Sequence, residues 1–267
     1  MVNIGVAGAA GRMGSRISAL AGEYEGLRLA GAFERKGHRD LGRDVGLLAG
    51  TGETGVTLAQ DIDAVMDKVD VIIDFTSVES TKENLKTAAA GGKAMVIGTT
   101  GFTAEDMKEI AALSKNIPCV IASNMSLGVN LLLKVLQDVA RALGDDYDVE
   151  IVEAHHRMKK DAPSGTAMKM AQVIAEALER KLDDVAVFSR HGIIGARTKK
   201  EIGIQTVRAG DIVGEHTVIF GGLGERIEIT HKASSRDTFA RGALKAALWL
   251  VGKPAGLYDM QDVLGLK

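Results

Sequence analysis

The chain has little cysteine, few aromatic residues and no excess of charge of either sign. One of its 267 residues is cysteine, Cys119, and 4% are aromatic. A single cysteine excludes an intrachain disulfide and a thiolate cluster for zinc or iron–sulfur, which favours a reducing compartment. A net charge of −2 with so few aromatic side chains supplies neither a cationic surface nor stacking platforms for nucleic acid. We therefore expect no nucleic-acid partner.

Proline is also scarce, and no long hydrophobic run is present. Three prolines against 32 glycines favour many tight turns between strands and helices rather than disordered linkers. The longest uncharged run, residues 116–133, holds three asparagines and two serines and is too polar to cross a bilayer. The first residues lack the basic start of a secretory leader. We expect a soluble, cytoplasmic protein that does not bind membranes, with 46% hydrophobic residues to form its core.

The first half of the chain alternates short apolar runs with helical segments. Some of these runs, such as Val71-Ile72-Ile73, are apolar on both faces, which a parallel sheet covered by helices on both sides requires. This βαβ series predicts a doubly wound parallel sheet of the α/β class. The predicted strands are residues 4–7, 29–33, 69–75, 94–97 and 119–122, and the predicted helices are 12–22, 80–90 and 104–115, the last capped by Thr103.

After residue 123 the pattern changes to long helices and β-rich segments. The predicted order is helix 127–143, strand 149–154, helix 165–180, strands 202–209, 213–220 and 226–232, and helix 236–251. This order predicts a second α+β domain with a mixed sheet. The apolar stripe of the last helix, with Phe239, Ala243, Leu244, Ala247, Leu248 and Trp249, suggests a return to the first domain. We therefore assign residues 1–126 and 236–267 to a dinucleotide-binding domain and 127–235 to a substrate-binding domain.

A glycine-rich turn follows the first strand and opens a helix. Gly8, Gly11 and Gly14 let the backbone approach a pyrophosphate at a helix N-terminus, where free N–H groups favour anions. Glu34 lies 20 residues beyond Gly14, where a carboxylate accepts from ribose hydroxyls. Together these features predict a Rossmann-type nucleotide-binding domain. Because Arg35 and Lys36 follow Glu34, the site can tolerate a hydroxyl or a 2′-phosphate, and we expect use of both NADH and NADPH.

A second turn, Gly98-Thr99-Thr100-Gly101, also lies between a predicted strand and a predicted helix. Its hydroxyl and amide groups can hold the nicotinamide or its ribose, because ligands of open α/β sheets sit at this edge. The alternative is an ordinary capping turn with no ligand.

Residues 153–166 carry the densest group of reactive side chains. Gly165 and Thr166 begin a helix and can present N–H groups and a hydroxyl to a carboxylate, while His156 and Lys159 supply positive charge or hydrogen bonds. One of the two tandem histidines can act as a general acid. Glu153 and His156 match a Glu-x-x-His metal motif, but on a strand a separation of three places them on opposite faces, so we predict no metal.

These segments resemble the dihydrodipicolinate reductase family over residues 2–265. The resemblance rests on Glu153-Ala154-His155-His156-Arg157 with Lys159, on residues 161–167 (Asp-Ala-Pro-Ser-Gly-Thr-Ala), on Gly98 to Phe102, on Asn124, and on residues 207–216 and 231–236, all in family order. It implies reduction of the cyclic imine derived from 4-hydroxytetrahydrodipicolinate in lysine and diaminopimelate biosynthesis.

The resemblance also implies site residues. His155 matches the proton donor, and Lys159 holds the substrate or stabilises charge in the transition state. The small cyclic dicarboxylate substrate is expected to contact His156, Lys159, Ser164, Gly165, Thr166 and Arg236. The cofactor is expected to contact Gly8, Gly11, Arg12, Met13, Gly14, Glu34, Arg35, Gly98, Thr99, Thr100, Ala122, Ser123, Asn124 and Met125. The family further implies a homotetramer formed through the sheet of the second domain.

Two other functions stay open at this point. A nicotinamide-dependent reductase of a different small dicarboxylate fits the same residues, because pocket shape cannot be predicted from the sequence. A non-catalytic NAD(H)-sensing protein explains the glycine turn equally well, but it does not explain the group at residues 153–166.

Overall fold

The computed structural model describes residues 1–267, which divide into two compact units. The first unit comprises Met1–Leu127 and Asp237–Lys267, and the second comprises Gly128–Arg236. The sequence placed these boundaries one residue earlier. The functions assigned to the two units stay predictions.

The first unit is built on a six-stranded sheet in which every pairing is parallel, with the order β11-β5-β4-β3-β1-β2. Its strands are β1 (Val2–Ala7), β2 (Leu27–Phe33), β3 (Val71–Asp74), β4 (Ala94–Ile97), β5 (Pro118–Ile121) and β11 (Gly256–Tyr258). Its helices are α1 (Arg12–Ala21), α2 (Val45–Ala49), α3 (Val78–Ala90), α4 (Ala104–Leu113), α8 (Asp237–Leu250) and α9 (Met260–Leu264).

The central strands are buried on both faces, as their continuous apolar runs require. Val71 and Ile73 pack in one hydrophobic cluster with α1 and α8. Ile72 points the opposite way, into a second cluster with Leu85 of α3 and Ile110 of α4. Alternate residues of one strand therefore face different helix layers, and the predicted doubly wound sheet is confirmed.

The helix α8 belongs to the first unit, where it packs on α1 and on three of the central strands. The predicted stripe was wrong at Leu248, which is 38% exposed, whereas Ala240 and Leu250 are fully buried. The strand β11 and the helix α9 were not predicted. Three residues beside Pro254 carry too short an apolar pattern to indicate a strand, and β11 forms only by pairing with β5 at the sheet edge.

The second unit is built on a mixed five-stranded sheet with the order β10-β9-β6-β8-β7. Its elements are α5 (Leu127–Leu143), β6 (Asp148–His155), α6 (Gly165–Ala177), α7 (Leu182–Val185), β7 (Ala186–Val187), β8 (Ile202–Arg208), β9 (Gly214–Gly221) and β10 (Arg226–Ala233). The strand β6 pairs with β8 in parallel and with β9 antiparallel. This confirms the predicted α+β arrangement with a mixed sheet.

The helix α6 ends at Ala177, three residues before its predicted end. The chain leaves the helix because Glu179 has a φ of 55°, in the left-handed region that ends helices. On β6, alternate residues are buried, so that Glu153 and His155 share one face of the sheet with Ile151 and Val149. That face carries the hydrophobic core of this unit and, at its far end, the polar cluster described below.

Candidate active site

The predicted cofactor residues of the first unit all follow the carboxyl ends of its parallel strands. Gly8 to Gly14 follow β1, Glu34 and Arg35 follow β2, Gly98 to Thr100 follow β4, and Ala122 to Met125 follow β5. Parallel strands bring these ends to one edge of the sheet, which is the usual ligand edge of open α/β folds. The topology therefore places these segments at a common edge.

The glycine turn has the close backbone contacts that its sequence suggests. Gly8 has a φ of +62°, and a Cβ atom there would lie 2.9 Å from Cγ2 of Thr76. Gly11 is the N-cap of α1 and offers no side chain to cap it, while its own N–H donates to the carbonyl of Gly8 at 2.9 Å. The first turn of α1, which includes Arg12 and Met13, can therefore direct its N–H groups at an anion.

A cavity of about 740 Å³ opens at this turn. Gly8, Gly11, Glu34 and Arg35 line it, as predicted for cofactor residues. The carboxylate of Glu34 accepts a hydrogen bond from the N–H of Arg35 at 3.1 Å, which orients it at the cavity wall. The wall also includes residues that sequence reasoning missed, among them Gln60, Asp61, Ile62, Ser77, Asn84 and Thr87. These come from the loop before β3, from α3 and from its N-cap Ser77, which carry no glycine motif to signal them.

A fully buried carboxylate, Asp74, ends β3 and was not predicted. Its Oδ1 accepts from the hydroxyls of Thr76 at 2.6 Å and Thr81 at 3.0 Å, and its Oδ2 accepts from the amide of Asn84 at 2.8 Å. The hydroxyl of Thr99 is joined to this network, 3.3 Å from the same Oδ1. Asp74 therefore fixes the loop after β3 against the turn after β4.

Three of the other predicted cofactor residues have packing roles in the unit. A Cβ at Gly98 would overlap the ring of Phe75, and a Cβ at Gly14 would overlap the carbonyl oxygen of Gly8. Met125 is buried in the hydrophobic core. Thr100 is exposed at the sheet edge. Contacts of these residues with a cofactor stay predictions.

The second unit gathers polar side chains at the end of β6. Glu153 is completely buried, and its Oε2 lies 2.6 Å from Nδ1 of His155. Arg208, at the end of β8, donates to both carboxylate oxygens of Glu153 at 2.8 Å. The main-chain N–H of Ser164 donates to Oε1 at 2.9 Å. A loop residue and two strands thus meet at one carboxylate.

These contacts decide the ionisation of the pair. Burial opposes a charge on Glu153, but the hydrogen bonds from Arg208, His155 and Ser164 prevail and lower the pKa of Glu153 to about 2. The carboxylate is therefore ionised and can only accept hydrogen bonds, including any from Nδ1 of His155. Burial lowers the pKa of His155, against the opposing effect of Glu153.

His216 of β9 completes the cluster and was missed as a site residue. Its ring meets that of His155 edge-on at 5.2 Å between centroids, and its Nε2 lies 2.9 Å from Oγ of Ser164. Burial lowers the pKa of His216 to about 4, so that this ring is neutral near pH 7. Ser164 is the N-cap of α6, and its Oγ accepts from the N–H of Ala167 at 3.1 Å. The hydroxyl therefore has partners within the protein, and its predicted contact with the substrate stays a prediction.

The remaining predicted substrate residues lie on the loop after β6, at the start of α6 and at the end of the second unit. The Nζ of Lys159 is paired with Asp161 at 2.9 Å. The main chain of His156 donates to the carbonyl of Ile212 at 2.7 Å, which ties the loop to the segment before β9. Gly165 is exposed and Thr166 half-buried at the start of α6, and Arg236 is exposed after β10.

A signal for the missed residues was present in the strand pattern. Residues separated by two on a strand share a face, so Glu153 faces the same way as His155. Arg208 and His216 become neighbours of that pair through the registers of β6 with β8 and β9, which sequence spacing does not reveal.

No group of three or more His, Cys, Asp or Glu side chains is placed to hold a metal ion. No helix has both the length and the apolar surface needed to traverse a bilayer.

The fold and these two clusters define a class. A parallel doubly wound unit with a glycine turn and a nucleotide-sized cavity, together with a unit that carries a histidine–carboxylate pair, is the architecture of nicotinamide-nucleotide-dependent oxidoreductases.

Comparison with known proteins narrows the class to a family. Residues 2–125 match the family model described as "Dihydrodipicolinate reductase, N-terminus", and residues 128–264 match "Dihydrodipicolinate reductase, C-terminus". The chain belongs to the dihydrodipicolinate reductase family, and its first unit is a nicotinamide-nucleotide-binding Rossmann domain.

Individual relatives of this family are similar to the chain over its whole length. Proteins named 4-hydroxy-tetrahydrodipicolinate reductase from Geobacter metallireducens and Syntrophobacter fumaroxidans are 59% and 58% identical over 267 residues, covering 100% of each chain. Among solved structures, a dipicolinate-bound dihydrodipicolinate reductase from Paenisporosarcina sp. TG-14 superposes with a TM-score of 0.76 at 26% identity, covering 98% of each chain.

Proposed function

We propose that the chain reduces the cyclic imine derived from 4-hydroxytetrahydrodipicolinate to tetrahydrodipicolinate with NADH or NADPH, in the diaminopimelate route to lysine. Relatives of this name match the chain over its full length. The observation that carries the chemistry is the buried contact of His155 with Glu153, close to the start of α6.

The first unit fits a dinucleotide. The left-handed Gly8 and the uncapped start of α1 suit a pyrophosphate, and Glu34 at the cavity wall suits the adenosine ribose. Arg35 lines the same cavity and supplies a cation for a 2′-phosphate. Use of both nucleotides rests on this neighbouring acid and base.

A bound nicotinamide cofactor supplies the hydride for the imine. His155 then delivers a proton from Nε2, because Nδ1 is taken by Glu153. Lys159, His156, Arg236 and the first turn of α6 at Gly165 and Thr166 hold the carboxylates of the substrate. The related structure from Paenisporosarcina contains dipicolinate, a planar ring with two carboxylates, which matches the predicted class of ligand.

Proton delivery requires His155 to be charged at the moment of reaction. In the free protein burial lowers its pKa, and Lys159 and Arg208 oppose its charge further. A dianionic substrate placed beside it favours the charged imidazolium, since an opposite charge within a few ångström raises the pKa of a histidine. We therefore expect binding of pyridine-2,6-dicarboxylate near pH 7 to take up a proton. Calorimetry in buffers of different ionisation enthalpy measures this uptake, and equal heats in all buffers would contradict it.

The decisive assay follows oxidation of NADH and NADPH with freshly prepared 4-hydroxytetrahydrodipicolinate. We expect turnover by the wild-type protein and by His191→Ala, a control at an exposed histidine, and a loss of about 10² or more in His155→Ala. Oxidation with a different cyclic dicarboxylate alone would indicate a reductase of another substrate. Nucleotide binding with no oxidation would indicate a sensor.

The homotetramer and the cytoplasmic location are further proposals. Exposed apolar side chains in the second unit, such as Phe188, Ile193 and Val207, support an assembly formed through this unit. Sedimentation velocity of the purified protein tests the tetramer, and a monomer at micromolar concentration would contradict it.

A further inference from the structure

The carboxylate of Glu153 makes more hydrogen bonds than a side chain that only fills space in the core would need. It is completely buried, and both of its oxygens accept hydrogen bonds from charged or main-chain donors. Thr206 of β8 adds a weaker contact at 3.3 Å. Burying an ionised carboxylate is costly, so a site that stabilises the charge so fully indicates that the charge is used.

The first use is the orientation of His155. The two residues lie two positions apart on β6 and therefore share a face, which brings Oε2 of Glu153 to 2.6 Å from Nδ1. An ionised carboxylate can only accept, so the proton of a neutral His155 must reside on Nδ1. The other nitrogen, Nε2, lies beside Gly214, where a Cβ atom would stand 3.0 Å away.

The second use is the attachment of the proton donor to the anion-binding turn. Oε1 of the same carboxylate accepts from the main-chain N–H of Ser164, the residue that caps α6. Arg208 extends the connection, because its second terminal nitrogen also donates to the carbonyl of Asp161 at 2.6 Å. One carboxylate thus fixes His155 relative to Gly165 and to the loop that bears Lys159.

The charges that face His155 come from several elements. Glu153 lies on β6, Arg208 on β8, and Lys159 on the loop before α6, where Asp161 pairs with it. His216 on β9 contacts the ring, and His231 on β10 lies opposite His216 in the β9–β10 register. Apart from Asp161, which is paired with Lys159, the other titratable groups are cationic or are histidines, so the carboxylate of Glu153 in direct contact with His155 opposes their effect on its charge.

We propose that Glu153 is a positioning residue that keeps the Nδ1 of His155 protonated and so reserves Nε2 for proton delivery to the substrate. The proposal rests on the proposed role of His155 as proton donor. Glu153 itself need not touch the substrate.

The test compares two carboxylates of the same strand. Glu153→Gln removes the charge beside His155, whereas Glu150→Gln removes a carboxylate that Arg190 and Arg197 hold and that lies on the opposite face of β6. We expect Glu153→Gln to lower kcat by about tenfold to a hundredfold, part of what a positioned acid contributes. Glu150→Gln should retain the wild-type pH profile.

The pH profile separates positioning from simple damage to the fold. Activity that needs a protonated His155 falls as pH rises through the pKa of that residue in the free enzyme. Burial, Lys159 and Arg208 lower the pKa of His155, and without the charge of Glu153 nothing in contact with the ring opposes them. The alkaline limb of kcat/KM should therefore move to lower pH by about one pH unit or more. An unmoved limb in a folded Glu153→Gln protein would overturn the proposal.

Nitrogen-15 NMR of histidine-labelled protein tests the same point without substrate or turnover. The chain has six histidines, and the His155 signals are assigned from a His155→Gln sample. In the wild-type protein above the pKa of His155 we expect the Nδ1–H tautomer. A predominant Nε2–H tautomer would overturn the proposal even if Glu153→Gln fails to fold.

This second readout also distinguishes the two levels of inference. One outcome is that the protein does not reduce 4-hydroxytetrahydrodipicolinate, while NMR shows an Nδ1–H tautomer of His155 that is lost in Glu153→Gln. This outcome would refute the proposed substrate and support the positioning role. Normal turnover with the opposite tautomer would support the substrate and refute the positioning role.

Discussion

Replacing Gly14 with alanine is expected to displace the helix that would hold the cofactor pyrophosphate. A methyl group there would overlap the carbonyl oxygen of Gly8 and stand 2.7 Å from Cα of Ala9, where ordinary van der Waals contact begins at 3.4 Å. The obstructing atoms belong to the backbone of the glycine turn, so they cannot rotate away. The start of α1 must therefore lift from the turn by most of an ångström.

The magnitude follows from two opposing effects. Alanine favours a helix over glycine by about 1 kcal/mol, whereas overpacking costs about 1–3 kcal/mol, so the free energy of unfolding should fall only modestly. Binding should suffer more, because N–H groups displaced from an anion lose hydrogen bonds of about 1.5–3 kcal/mol. The Kd of NADH is then expected to rise by about tenfold to a hundredfold.

Calorimetric or fluorescence titration of NADH measures this Kd, and thermal unfolding measures stability in the same samples. The matched control is Gly22→Ala at the other end of α1, where the backbone is helical and a Cβ meets no atom within 4 Å. The control should bind normally and be as stable as the wild type or slightly more so. Wild-type affinity in a folded Gly14→Ala protein would show that the glycine turn does not hold the nucleotide.

The remaining predictions concern the charged and reactive groups. Lys159→Ala should lower kcat by roughly 10² or more with little change in the Kd of NADH, measured by steady-state kinetics and titration, and near-normal kcat would remove it from the reaction. Arg35→Ala should weaken NADPH by about 1–3 kcal/mol and leave NADH nearly unchanged, and equal losses would indicate a contact with a group common to both nucleotides. Gly214→Ala places a methyl group 3.0 Å from Nε2 of His155 and should reduce turnover while NADH binding is preserved, so unchanged kcat would show that Nε2 does not face the substrate.

The sequence alone determined the elements whose patterns are local. Apolar runs on both faces predicted the buried parallel strands, and the glycine spacing after β1 predicted the start of α1 at Arg12. The bounds of α5 and the capping role of Thr103 also followed from local pattern. Each of these depends on a few consecutive residues, because periodicity and capping are properties of short segments.

Tertiary structure decided the features that depend on distant residues. The strand β11 exists because it pairs with β5, more than a hundred residues earlier in the chain. The surroundings of Asp74 join side chains from β3, α3 and the turn after β4.

The same holds at the candidate active site. The resemblance directed attention to His155, but the residues that set its tautomer and charge could not be ranked from the sequence. Arg208 lies 55 positions from Glu153 and reaches it through the parallel register of β6 and β8. His216 arrives through the antiparallel register with β9. Strand pairing joins residues that are distant in the sequence. It therefore determines which charged groups surround His155, although the motif that contains His155 is visible in the sequence.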